Sequence, residues 1–183
     1  MRLCVKGDGF GIVHEFNQLE KPAMNRDLIE SYAAGGETLR RAVQGLSHDD
    51  LIAHPGPGDW SIQELVIHLA DSDAIAIDRM KRILTEDNPP LLYADETAYV
   101  DRLLPSEQSL EDALTLFDLG RRQWSRVLRR LSDDAFAHQG THNRAGIVTL
   151  GGMVETCTRH LEKHLVFLRA KRERLGKPLA EGD

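Results

Sequence analysis

Only two cysteines, Cys4 and Cys157, occur in 183 residues, which excludes a disulfide framework and makes a reducing, cytoplasmic setting the expectation. Nowhere do about 18 apolar residues run together, so no segment reads as a bilayer-spanning helix. The first residues, Met1 to Phe16, lack the apolar core of a secretion signal. Excess positive charge is also missing: 29 acidic against 23 basic residues leave a net charge of −6, which argues against binding a phosphate backbone. Several catalytic signatures are absent too. There is no G-x-S-x-G, no P-loop, no G-x-G-x-x-G, no C-x-x-C and no H-E-x-x-H. The Glu-x-x-His pairs of di-iron bundles are missing as well: Glu64 precedes His68 by four residues, and Glu155 precedes His160 by five. What the chain does have is eight histidines on an ordinary soluble composition, 41% hydrophobic and 28% charged, enough for one domain with a real core.

Residues 1–24 stand apart. Gly7-Asp8-Gly9 lies between two short apolar runs, and the segment reads either as a β-hairpin arm or as a leader without fixed structure. From Asn25 onward the periodicity is helical. Asn25 caps a first long segment to about Leu46, with Leu28, Tyr32, Leu39 and Val43 on one face and Gly35-Gly36 marking a kink or a close helix contact. After a loop rich in proline and glycine, Ser61 and Glu64 form an S-x-x-E capping box that opens a second long helix ending before Pro89-Pro90. A long connection follows, with a short helix around Asp95–Leu103. Ser109 caps a third helix with Leu114, Phe117, Trp124 and Leu128 inward. Residues 132–148 read as a loop. Thr149 caps a fourth helix that Gly176 and Pro178 end, leaving 177–183 as a tail. Four long amphipathic helices and a long central crossover predict an all-α four-helix bundle over residues 25–176. Leu46-Ser47-His48-Asp49-Asp50 and Leu131-Ser132-Asp133-Asp134 form a weak echo, either of two related helix pairs or of a common helix start.

The histidines carry the functional reading. His160 and His164 are four apart, about 40° apart on one helix face, and share the apolar stripe of Met153, Cys157, Leu161 and Leu168. An imidazole on a buried face needs a partner, and the spacing lets both rings reach one metal ion. His68 lies at the edge of the second helix's apolar face. If the second and fourth helices are neighbours, the three form an open His₃ site that leaves room for water or substrate. Glu64 and Asp71, one turn to either side of His68, are candidates to orient it. The competing reading makes His68 a helix-face histidine bonded to one of these carboxylates. His48, His54 and His138 read as exposed loop residues, and His14 falls in the arm. His142 or Arg144 would touch a substrate if their loop roofs the site. Cys157 reads as a buried thiol one turn from the site. Trp60 reads as a plug at the bundle end. Tyr93, Asp95 and Glu96 read as solvated loop residues or as a pocket rim.

Two stretches resemble the DinB-like superfamily, and within it the YfiT-type group that carries the label metal-dependent hydrolase. One is Asp59-Trp60-Ser61-Ile62-Gln63-Glu64-Leu65-Val66-Ile67-His68-Leu69-Ala70-Asp71-Ser72. The other is Val148-Thr149-Leu150 leading to His160-Leu161-Glu162-Lys163-His164-Leu165. The resemblance spans roughly residues 25–172. It implies a bundle of up-down-down-up topology and a divalent ion, nickel or zinc first and iron or manganese next, held by His68, His160 and His164. It further implies a small-molecule substrate and, as in some relatives, a low-molecular-weight thiol cosubstrate in S-transfer or isomerisation. Homodimers are common in the family. Against an enzyme stands a non-catalytic bundle acting in binding or stress response, with a structural metal or none. Thr156-Cys157-Thr158, one turn before His160, departs from the family's pattern there and bears on substrate analogy.

Overall fold

In a computed structural model of the protein, residues 24–58 and 60–179 are described. The arm expected over residues 1–24 falls, but for its last residue, outside them. Six helices carry the fold: α1 Arg26–Val43, α2 His48–Ile52, α3 Ile62–Thr85, α4 Glu96–Arg102, α5 Leu110–Leu128 and α6 Leu150–Arg174. Their starts follow local chemistry. Asn25, Ser47, Ser61, Asp95, Ser109 and Thr149 each accept a hydrogen bond from a backbone N–H of the first turn, and Ser47 and Ser61 complete reciprocal capping boxes with Asp50 and Glu64. The first helix stops at Val43, three residues before the expected Leu46. Gly45 takes a left-handed conformation (φ 76°), so the chain leaves the helical path there.

The four long helices pack α1 against α5 and α6, and α3 against the same two, so α1 faces α3 and α5 faces α6 across the core. Residue pairs give the directions. Arg40 meets Glu111 at 2.7 Å and Glu30 meets Arg129 at 2.7 Å, so α1 and α5 are antiparallel. The Gln63 amide donates to the carbonyls of Pro105, Ser106 and Gln108 just ahead of α5, while the Trp124 indole donates to Met80 Sδ near the other end; α3 and α5 are parallel. Gly35 abuts Leu161 and the Ala42 carbonyl accepts from Arg172, so α1 and α6 are parallel. The bundle is therefore up-down-down-up. Parallel neighbours that follow one another in sequence need a connection as long as the bundle, and residues 86–109 supply it between α3 and α5.

That crossover and the segment before α6 hold an element the sequence reading did not contain. Pro90–Leu91 (β1) pairs in parallel with Gln139–His142 (β2), which pairs antiparallel with Gly146–Thr149 (β3). Strands of two to four residues are too short to show alternation, which is why residues 132–148 read as a loop. Within that loop, Asp133–Ala137 forms a 3-10 turn after α5, matching α2 after α1. The echo around Ser47 and Ser132 thus corresponds to two short helical turns in equivalent places.

The core has two apolar clusters. One is built around Leu39, Leu65, Leu69, Phe117, Leu161 and Leu168; the other around Ile29, Met80, Ile83, Trp124, Leu128 and Val154. Between them sits a charged layer. Arg121, 1% exposed, donates from Nε (3.1 Å) and Nη2 (2.8 Å) to Asp73 Oδ1 and from Nη2 to the Cys157 carbonyl (3.0 Å). Its guanidinium lies between the rings of Tyr32 and Phe117, 4.5 and 4.2 Å from their centroids, and the Tyr32 hydroxyl donates to the other Asp73 oxygen at 3.4 Å. Burial pushes the Asp73 carboxyl up, and the Arg121 charge opposes that push in part. α1 runs unbroken through Gly35-Gly36. A Cβ at Gly35 would stand 2.3 Å from Arg121 Nη1, and one at Gly36 2.7 Å from the Asp118 Cα, so both glycines serve close contact.

Removing one member of this pair leaves a charge buried without its partner. Arg121→Met is expected to cost about 3–5 kcal/mol of unfolding free energy by urea denaturation, and the double variant Arg121→Met/Asp73→Leu is expected to recover a large part of it. A single variant that unfolds at the wild-type midpoint would contradict this reading of the core.

Candidate metal centre

His68 sits on α3 and is 2% exposed; His160 and His164 sit one turn apart on α6 and are half-buried. Because α3 and α6 are neighbours, the three rings meet. His160 Nε2 is 3.1 Å from His68 Nε2 and 2.9 Å from His164 Nε2, and the ring centroids lie 4.6 to 5.0 Å apart. Among the described residues this is the group of histidine, cysteine and carboxylate side chains close enough to share an ion. Imidazole ligands about 2.0–2.1 Å from one ion have nitrogens roughly 2.9–3.4 Å apart, so the observed spacing fits one ion. His68 is more buried than its place on the α3 wheel implied, because α6 covers that side.

The environment keeps these rings neutral. Burial, then the neighbouring imidazoles, pushes His68 down to about 3. Burial also pushes His160 and His164 down to about 4, helped by Arg121 and Lys163 for the first and by His160 and Lys163 for the second. A neutral imidazole retains the lone pair that a metal ion needs.

Around the triad, the structure revises several expectations. Glu64 spends its carboxylate on the Ser61 N–H of the capping box (2.6 Å), and Asp71 makes no hydrogen bond to His68. The group that meets His68 Nδ1 is the Ser72 hydroxyl at 3.5 Å, and the carboxylate nearest its Nε2 is Glu96 Oε2 at 3.8 Å. Ser72 stands four residues beyond His68, a spacing that marks it as a neighbour in sequence. Glu96 arrives from α4 across the crossover, and no periodicity announces it. Asp95 caps α4 instead of rimming a pocket. Trp60 is a wall of the site rather than a plug at the bundle end. Its ring is 4.7 Å from that of His68 and stacks near-parallel with His164 at 6.4 Å.

The remaining histidines stay away. His48, His54 and His138 are exposed, and His14 lies outside the described residues. His142 closes the β2–β3 turn by accepting from the backbone N–H groups of Arg144 and Ala145, and Arg144 covers the Tyr93 ring, so neither residue joins the triad. Cys157 is buried, and burial pushes its thiol up to about 12, which keeps it protonated and unreactive. Beside His164 opens a cleft of about 310 Å³, walled mainly by Trp60, Leu65, Thr97 and Phe167. Its size falls within the range of small-molecule sites.

Residues 32–168 match the DinB superfamily, and the chain belongs to it. Within that superfamily the chain is similar to YfiT of Bacillus subtilis, a "Putative metal-dependent hydrolase", at 27% identity over 75% of this chain and 78% of the relative. It is likewise 27% identical to a protein of the same description from Oceanobacillus iheyensis, over 71% of this chain and 75% of that one. The solved structure of Bacillus subtilis YfiT, described as a four-helix bundle of unusual topology, superimposes with a TM-score of 0.78 over 85% of this chain and 93% of YfiT, at 25% identity. A mycothiol-dependent maleylpyruvate isomerase shares the fold at 16% identity and a TM-score of 0.63, over 78% of this chain and 59% of that one.

The depressed histidine values carry a sign. Between about pH 6.5 and 4 the unfolded chain binds protons that the folded triad refuses, so the metal-free protein is expected to lose stability as the pH falls through that window. Urea midpoints measured from pH 7.5 to 4.5 should show the slope, and His160→Gln should flatten it. Equal slopes in the two proteins would sink the assignment.

Proposed function

We propose that the chain is a metal-dependent enzyme acting on a small molecule, hydrolase-like in its reaction, with His68, His160 and His164 as ligands of one divalent ion, nickel or zinc. The observation that carries this reading is the convergence of three neutral Nε2 atoms, 2.9 and 3.1 Å apart, beside an apolar cleft that His164 lines. An all-imidazole donor set suits nickel and zinc better than magnesium or calcium. A divalent ion supplies Lewis acidity and lowers the pKa of the protic group that it coordinates.

The chain's own residues supply the rest. Ser72 holds the Nδ1 side of His68, which keeps the imidazole turned toward the other two. Trp60 packs on the His68 ring and stacks with His164, and so keeps water from that side of the triad. Phe167 and Leu65 offer the apolar portion of a substrate a surface beside His164, which sets the orientation of its reacting end. Three protein ligands leave coordination positions for substrate, the feature that separates a catalytic site from a structural one.

Protein purified without a nickel column should contain close to one divalent ion per chain, and His160→Ala should contain almost none. Equally low metal in both would remove the basis of the reading. With metal established, ester and amide substrates assayed with and without a low-molecular-weight thiol separate the two nucleophiles. Turnover without thiol is the expected result, and turnover that requires thiol would replace hydrolysis by S-transfer.

A further inference from the structure

The cleft beside His164 runs on away from the triad. Trp60 and Leu65 line it from the head of α3, Thr97 from α4, and Phe167 and Lys171 from α6. His164, Phe167 and Lys171 fall within about 60° of one another on α6, and Lys171 stands seven residues beyond His164, about 10 Å along the helix. The cleft therefore follows α6 for two turns from the triad. Its walls are aromatic where they adjoin the triad. The chain has only two tryptophans and five phenylalanines, and one of each stands half-buried here. The Trp60 ring lies 6.4 Å from that of His164 and the Phe167 ring 6.2 Å. Among the described walls the one formal charge is Lys171, which is 1% exposed with its Nζ buried, so the surface offered to a ligand is apolar apart from the Thr97 hydroxyl. A phosphate or sulfate tail would meet no exposed cation there. Size narrows the choice further. An apolar cavity of about 150 Å³ accepts one benzene ring. The cleft, about 310 Å³, holds such a ring with its linking atoms and little more.

We propose that the substrate carries an uncharged, ring-sized apolar group beside its reacting end, and that Trp60, Phe167 and Thr97 select it. The inference rests on the three-histidine reading above and names the substrate class of that site. A half-buried ring keeps an apolar face in contact with water, and a ligand ring that covers it releases that water and adds ring contacts of its own. The gain is made along α6, away from the triad, so it fixes which substrate is held and leaves the ligand positions of the ion free.

The test uses the full-length protein, stripped of metal and loaded with cobalt(II), whose visible bands report a chelating ligand. Acetohydroxamic acid and benzohydroxamic acid share one metal-binding head and differ in the apolar group attached to it. Benzohydroxamic acid is expected to bind roughly 10–100-fold tighter, the gain from burying a ring's apolar surface. Phe167→Ala removes one wall, and Thr97→Trp fills the cleft from an exposed position. Each should bring the two acids to within about threefold of each other and leave the affinity for acetohydroxamic acid at the wild-type value. Because Thr97 is exposed, Thr97→Trp should also unfold at the wild-type urea midpoint. Wild-type protein that takes up no cobalt, or whose bands ignore acetohydroxamic acid, would overturn the three-histidine reading and this inference with it. Cobalt-loaded wild type that binds both acids equally overturns this inference alone, as does a preference that survives in both variants.

Discussion

Arg121 is the residue through which the four long helices meet. Its guanidinium binds the Asp73 carboxylate of α3 and the Cys157 carbonyl of α6, lies against the Tyr32 ring of α1, and belongs to α5 itself. An ion pair in an apolar interior is not a cheap source of stability, because both charges give up hydration; broken on one side, it becomes a large liability. The layer therefore acts as a constraint on packing. Helix positions that offer the pair its ring faces, carbonyls and hydroxyl are compatible with burial, and shifted registers are not. Gly35 belongs to the same constraint, since any side chain there would occupy the space of Arg121 Nη1.

The three-histidine cluster stands one to two turns from that layer. Asp73 follows His68 by five residues and Cys157 precedes His160 by three, so the contacts that tie α3 and α6 to Arg121 also set the relative height of the two histidine-bearing helices. Burial alone would put three imidazoles near one another without aiming them. Ser72 on one side of His68 and Trp60 on the other restrict the ring, and the result is a set of nitrogens 2.9 and 3.1 Å apart. Arg121 reaches the centre electrically as well, as one of the charges that keep His160 neutral. Core and site are in this sense one polar system running through an otherwise apolar bundle.

Much of this architecture is local and therefore readable. Asn25, Ser61, Ser109 and Thr149 cap the helices that their spacing announces, because capping involves groups within one turn of each other. The four-residue interval between His160 and His164 is legible for the same reason, and the family's shared stretches add His68. The short sheet was illegible, because strands of two to four residues carry no periodicity. The surroundings of Trp60 and Glu96 are not legible in the sequence. Their partners lie on helices that only the fold brings near them.

The sequence by itself determined the helical class, the helix starts, the apolar faces and the three histidines, since each depends on residues at most a few turns apart or on stretches shared with relatives. Only the tertiary structure decided that α3 and α6 are neighbours, that Arg121 is buried while Arg122 beside it is exposed, and that Glu96 stands over His68. These are matters of which face meets which across the bundle. A helix wheel gives each residue an angle, but the partner at that angle is set by packing, by the charged layer and by the long crossover that parallel neighbours demand.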